Sequence, residues 1–177
     1  MSRNSREPAK TGPDGSRRWI GYLHWIREDI IQGVLDLPGS ELRRSRLPSG
    51  WSPIELLSHV LHMEQRWFVW GFLGERVASP WGDWSEPDPW ESERKGADAP
   101  RWVVPADVTV EHLASELRAI GMRTTEILAS HRLDEVAAGG GRFAEDPPTL
   151  EWICFHVLAE YARHAGHLDI AVELSKD

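Results

Sequence analysis

Apolar residues recur at helical spacing in four long stretches of this sequence, and this repetition constrains the fold more than any other feature. The predicted helices span residues 19–37, 52 to about 73, 108–130 and 149–175. The segments between them lack the alternating pattern of a strand. Four helices of this kind can bury their apolar faces only against one another, so the sequence predicts an all-α four-helix bundle.

The second predicted helix has the clearest start. Ser52 is placed to cap it, Pro53 occupies the first helical position, and Glu55 follows three residues after the cap, which is the pattern of a capping box. Thr149 is the expected cap of the fourth helix.

A long irregular connection, 74–107, joins the second and third helices and holds five prolines and four tryptophans. Loops of this length are often functional.

Composition limits the classes of partner. Lysine and arginine number 20 against 28 acidic residues, a net charge of −8, so binding to a phosphate backbone would begin with repulsion and nucleic acid is an unsuitable partner. The single cysteine, Cys154, cannot form an internal disulfide, which is typical of a cytoplasmic protein, and we expect it to be a buried, unreactive thiol. Residues 1–18 are polar, without a signal peptide or membrane span. We therefore expect a disordered tail over 1–18 and one bundle domain over 19–177.

The last predicted helix carries a row of polar side chains that favours a metal site. His156, Glu160, His164 and His167 follow one another at spacings of four, four and three, so they share one helix face. Imidazole and carboxylate are suitable ligands for a divalent transition metal. Glu160 and His164, one turn apart, are the pair that we expect to bind the ion. The alternative is a solvated row stabilised by weak pairs between successive turns.

A third ligand must come from another helix. In the second predicted helix His59 and His62 both qualify, and periodicity does not choose between them. His156 and His167 are expected to orient ligands, contact substrate or pack beside the site.

Longer strings now point to a known family. The segments SPIELLSHVLHMEQRWF and PTLEWICFHVLAEYARHAGHLDI, with GWSP before the first, resemble the DinB-like (DinB/YfiT-type) metal-binding four-helix bundles, in particular the DUF664 branch. The resemblance covers roughly residues 19–175. It implies a divalent ion, zinc or alternatively nickel, held by one histidine of the second helix and two ligands of the fourth. These correspond to His59, Glu160 and His164.

The same resemblance implies chemistry with thiols. Glu160, where many relatives have histidine, is similar to the arrangement in the N-terminal domain of mycothiol-dependent maleylpyruvate isomerase. Several members of the superfamily are S-transferases that use mycothiol, bacillithiol or glutathione. The resemblance therefore implies a metal-dependent transferase that joins a low-molecular-weight thiol to an electrophile. The alternative is a bundle without catalytic activity, which would bind a metal or form a homodimer.

Such a site predicts a simple mechanism. Three protein ligands leave zinc one open position, where a thiol can bind as thiolate and attack the electrophile. His167 or His156 would accept the released proton. The loop tryptophans Trp81, Trp84, Trp90 and Trp102 would either wall the mouth of the site or fix the loop to the bundle.

Overall fold

The computed structural model describes residues 7–8, 11, 14–48, 50–77, 80, 104–139, 142–143 and 145–176. Its helices are α1 (Gly15–Leu35), α2 (Gly39–Leu42), α3 (Pro53–Gln65), α4 (Val110–Ser130) and α5 (Leu150–Leu174), with a π-helical segment (Arg66–Phe72) that continues α3. The predicted all-α bundle is confirmed. Most of the predicted connection between α3 and α4 lies outside the described residues, as do Trp81, Trp84, Trp90 and Trp102. No helix within the described ranges has the length and apolar character that a membrane span requires.

The four long helices pack in a square. Each of α1 and α3 packs against both α4 and α5, which places α1 and α3 at opposite corners. The interior is filled by fully buried apolar side chains from all four helices, among them Ile30, Leu57, Leu117 and Ile153. Helices α3 and α5 run antiparallel: the ring of His59 contacts that of His164, while Trp67, further along α3, contacts the earlier His156.

Two helix starts show how local capping works. Glu55 Oε2 accepts hydrogen bonds from Ser52 N at 2.8 Å and from Ser52 Oγ at 2.7 Å, so the predicted capping box of α3 is confirmed. Helix α1, predicted to begin at Trp19, begins instead at Gly15. Its N-cap is Asp14, whose carboxylate accepts from Arg17 N at 2.7 Å. The prediction followed the apolar spacing and overlooked this cap, so the predicted start of the first helix was four residues too late.

Two further features depart from the predicted helices. The turn after Pro38 forms the short helix α2, where we expected only a loop. The second predicted helix was expected to stay α-helical to about Leu73, but its last part is π-helical, as in the bond from Leu73 N to Phe68 O of 3.2 Å. Gly71 fits this wide turn closely, since a Cβ there would lie 2.8 Å from the ring of Phe143. Single π-helical turns inside α-helices often occur near functional sites.

A buried polar network joins all four long helices at the centre of the bundle. The carboxylate of Glu64 in α3 is fully buried and pairs with Arg27 of α1, through bonds of 2.9 Å from Nε and 2.6 Å from the terminal nitrogen. Thr124 Oγ1 of α4 donates to the same carboxylate at 2.6 Å, and the Tyr161 hydroxyl of α5 donates to its other oxygen. A Cβ at Gly121 would lie 2.5 Å from the guanidinium, so only glycine leaves room for Arg27. We name these four side chains, Arg27, Glu64, Thr124 and Tyr161, the central network.

Candidate metal centre

Three predicted ligands from two helices converge on one point between α3 and α5. Each of His59, Glu160 and His164 offers one ligand atom, and these atoms all lie within 4.8 Å of one another. His164 Nε2 lies 3.5 Å from Glu160 Oε2. That distance is close to the separation of about 3.4 Å expected for two donors bound tetrahedrally to one zinc ion, given bonds of about 2.1 Å. The donor set and its spacing thus fit a divalent ion.

Burial prepares both imidazoles for metal binding. The pKa of His59 is lowered well below its usual range, first by desolvation and then by the neighbouring His164. Burial also lowers the pKa of His164, although the nearby Glu160 opposes this shift. Both rings are therefore neutral at neutral pH, which is the form that binds a metal.

Glu160 and His164 each have a distinct local environment. Within the described part of the chain, neither ring nitrogen of the buried His164 makes a hydrogen bond. A buried polar group in this state needs an explanation, and an ion supplies one. Arg163 donates to Glu160 Oε1 at 3.0 Å, while Oε2 is the oxygen that approaches His164. One carboxylate oxygen is thus held at the surface and the other is directed to the site.

Trp51 is a site residue that the analysis of the sequence missed. Its ring stacks on His164 with centroids 5.7 Å apart and an interplanar angle of 10°, and it meets His59 edge-on at 5.0 Å. The available signal was its place directly before the N-cap of α3, where an apolar residue commonly packs back onto the helix. The indole thus packs against the face of His164 and contacts His59 edge-on.

His62, the competing histidine of α3, has another partner. Its ring is buried, and Nδ1 lies 2.7 Å from the carbonyl oxygen of Ser58, to which it donates. It does not belong to the group of converging ligand atoms. Burial lowers the pKa of His62 to about 4, an effect that the bond to Ser58 partly opposes.

This buried imidazole predicts an acid-sensitive fold. In the unfolded chain His62 is protonated as the pH falls below about 6.5. In the folded chain the same ring is protonated only near pH 4. His62 should therefore account for about 3 kcal/mol of the stability lost between these values, at about 1.4 kcal/mol per unit of pKa difference, in addition to the loss caused by His59, whose pKa is lowered further. Urea unfolding of metal-free protein at several pH values measures this loss. The variant His62→Gln keeps a donor without titrating, and an equally steep loss in that variant would contradict the assignment.

The two predicted catalytic histidines lie in different surroundings. His167 is exposed, and its ring centroid is 5.8 Å from that of His164. The ring of His156 contacts those of Trp67, at 3.9 Å, and Trp152, at 5.5 Å, which also contact each other at 5.9 Å, and burial lowers the pKa of His156. The guanidinium of Arg142 lies over the ring of Trp67, with its Cζ 4.7 Å from the ring centroid. His156 is thus part of an aromatic cluster one helical turn away from Glu160.

Cys154 is buried, as the sequence predicted. The thiol is fully buried in the core, and burial raises its pKa to about 12. A thiol of this kind is not a nucleophile at neutral pH, because only the thiolate reacts. The chain's own cysteine is therefore unsuited to thiol chemistry at this site.

One comparison with known proteins identifies the family of the chain. A search of the curated proteins and a search of the solved structures found no significant match. A family model described as mycothiol-S-transferase matches residues 19–176, which is nearly the entire chain and includes every helix described above apart from the first turn of α1. The predicted resemblance to the DinB-like DUF664 group is confirmed. The chain belongs to the mycothiol-S-transferase family.

Proposed function

We propose that this protein is a metal-dependent S-transferase that joins a mycothiol-like thiol to an electrophilic substrate. The observation that carries the proposal is the convergence of His59, Glu160 and His164. Two imidazoles and one carboxylate leave a four-coordinate ion with one open position, which is the arrangement of catalytic rather than structural zinc sites. Membership of the mycothiol-S-transferase family supports a small thiol as the co-substrate.

We propose zinc as the ion, with nickel as the alternative, because neutral imidazole and carboxylate suit both. When bound, the ion would lower the pKa of a thiol in the open position so that the thiolate forms near neutrality. His59 and His164 would hold the ion as neutral ligands, and Glu160 would contribute the only negative charge of the three ligands. Arg163 keeps one carboxylate oxygen of Glu160 occupied, which leaves the other for the site.

The transfer step needs a base for the thiol proton. In that step the thiol sulfur attacks the electrophilic carbon, a carbon–sulfur bond forms, and the leaving group departs with its electron pair. We assign the proton to the imidazole of His167, which is exposed and adjacent to His164. His156 is the less suitable base because its ring is half-buried and packs against Trp67 and Trp152.

The aromatic cluster beside the site offers a surface for the electrophile. His156 lies one turn along α5 from Glu160, and its ring is 3.9 Å from that of Trp67 in the π-helical segment. An apolar substrate packed against this surface would have its reactive carbon near the thiol and away from water. Trp51 would exclude water from the opposite side of His164.

A direct assay tests the proposal. Zinc-loaded protein is incubated with mycothiol and monobromobimane, and the fluorescent conjugate is measured as a bromide ion is displaced. We expect conjugation well above the uncatalysed rate, its loss in His164→Ala, and a decrease in kcat of about 100-fold in His167→Ala, the lower end of the contribution of a general base. Cys154→Ala is the matched control from the same helix and should retain full activity.

Two outcomes would contradict the proposal in different ways. Thiol consumption no faster than background, with mycothiol, glutathione and cysteine alike, would leave a metal-binding protein without transferase activity. Conjugation that persists in His164→Ala but disappears in Cys154→Ala would assign the chemistry to the chain's own thiol.

A further inference from the structure

The central network lies next to the candidate metal ligands along both helices that carry them. Tyr161 directly follows Glu160 and precedes His164 by one turn, and Glu64 follows His59 by five residues, or about 7.5 Å along the helix axis. The Tyr161 hydroxyl donates to Glu64, so one hydrogen bond joins α3 to α5 at this level. Both side chains are fully buried.

From this arrangement we infer that the bond between Tyr161 and Glu64 sets the register of α5 against α3 and thereby positions Glu160 and His164 opposite His59. The inference rests on the proposed metal site. Tyr161 is a positioning residue in this account, since its hydroxyl bonds to Glu64 and acts on the ligands only through the placement of α5.

The physical basis is the directionality of this bond. Apolar contacts between α3 and α5 depend weakly on direction and tolerate small shifts along the helix axis. A hydrogen bond to a buried carboxylate is short and directional, and its loss inside the core is costly. A one-residue change of register, in which each residue of α5 takes the place of its neighbour, would displace the ligands by about 1.5 Å along the axis and about 100° around it. Such a slide would remove Glu160 and His164 from the reach of His59.

The rest of the network fixes the acceptor itself. Arg27 binds both carboxylate oxygens of Glu64, and Gly121 gives the guanidinium the space that it needs. Glu64 is thereby a rigid reference point. It presents one oxygen to Thr124 in α4 and the other to Tyr161 in α5.

Thr124 and Tyr161 provide a matched pair for the test. Both donate a hydroxyl to the same buried carboxylate, but only Tyr161 belongs to a helix that carries candidate ligands. Tyr161→Phe and Thr124→Val each remove one donor while keeping the shape of the side chain. Zinc affinity is measured by competition with a chelating dye under conditions where circular dichroism shows both variants folded. The absorption spectrum of the cobalt-loaded protein reports the geometry of the site.

We expect Tyr161→Phe to bind zinc at least about tenfold more weakly, because the loss of residues that support metal ligands lowers metal affinity by about 10-fold to 100-fold. The absorption spectrum of the cobalt-loaded variant should also change. Thr124→Val should bind zinc as the natural chain does, although both variants lose thermal stability. Equal zinc affinity in the two variants would overturn the inference while leaving the proposed function intact. A natural chain that binds no zinc would instead overturn the proposed function, and this inference with it.

A second measurement avoids dependence on the folding of a variant. The chain contains two tyrosines, Tyr22 and Tyr161, so incorporation of 3-fluorotyrosine gives two fluorine NMR signals. Because coupling between sites is reciprocal, zinc binding should shift the signal of Tyr161 and leave that of Tyr22 unchanged. A Tyr161 signal that does not respond to saturating zinc would overturn the inference.

Discussion

A chain carrying His59→Ala is expected to lose its bound divalent ion and to remain folded, whereas His62→Ala should keep the ion and lose stability. The ring of His59 lies in the group of converging ligand atoms with Glu160 and His164, while His62 donates to the carbonyl of Ser58. Removal of a ligand should weaken zinc binding by more than about 100-fold. Even the loss of a residue that only supports a ligand reduces metal affinity by about 10-fold to 100-fold. Elemental analysis after dialysis against a weak chelator measures the retained ion.

The two variants are matched because both remove an imidazole from α3 within one turn. The reverse pattern, with metal retained in His59→Ala and lost in His62→Ala, would place the site elsewhere on α3. His167→Ala provides a further control on α5, because this exposed ring neighbours His164 but is not part of the converging group.

Replacement of Arg27 by methionine should cost the fold about 3–5 kcal/mol. Arg27 is 3% exposed and Glu64 is fully buried, so the variant leaves a carboxylate in the core without its cation. Removal of one member of a buried pair is far more harmful than its Coulomb energy suggests, because the remaining charge stays desolvated. The free energy of unfolding, obtained from urea denaturation at neutral pH, measures the cost.

Arg118→Met is the control for this prediction. Arg118 of α4 pairs with Glu28 of α1 at 2.8 Å and so also joins two long helices, but its side chain is 43% exposed. Solvent weakens such pairs, so we expect a change of less than about 1 kcal/mol. A loss in Arg27→Met no larger than that in Arg118→Met would contradict the structural importance of the central network.

The features that the sequence could predict are the local ones. The capping box of Ser52 and Glu55 and the pair of Glu160 and His164 each depend on residues within one turn, so spacing along a helix was sufficient. The choice of His59 over His62 came from resemblance to a family and not from periodicity, because both residues are spaced to reach the same side of the helix. Its role as a ligand stays a prediction.

The features that the sequence could not predict depend on distant pairing. Arg27 and Glu64 are 37 positions apart in the sequence, and the residues around Glu64 do not indicate which distant residue it pairs with. The need for glycine at Gly121 follows only from that pairing, since the guanidinium occupies the space of a Cβ. The π-helical turn of α3 was missed for a similar reason, because it depends on how Gly71 packs against Phe143.

The central claim is that His59, Glu160 and His164 bind one divalent ion between α3 and α5. An anomalous-difference map, collected at the absorption edge of the metal in crystals of protein purified without chelator, tests it most directly. We expect one strong peak per chain, about 2.0–2.2 Å from a ring nitrogen of His59, a carboxylate oxygen of Glu160 and a ring nitrogen of His164. A map without a peak there in zinc-soaked crystals, or with its only peak at other residues, would contradict the account.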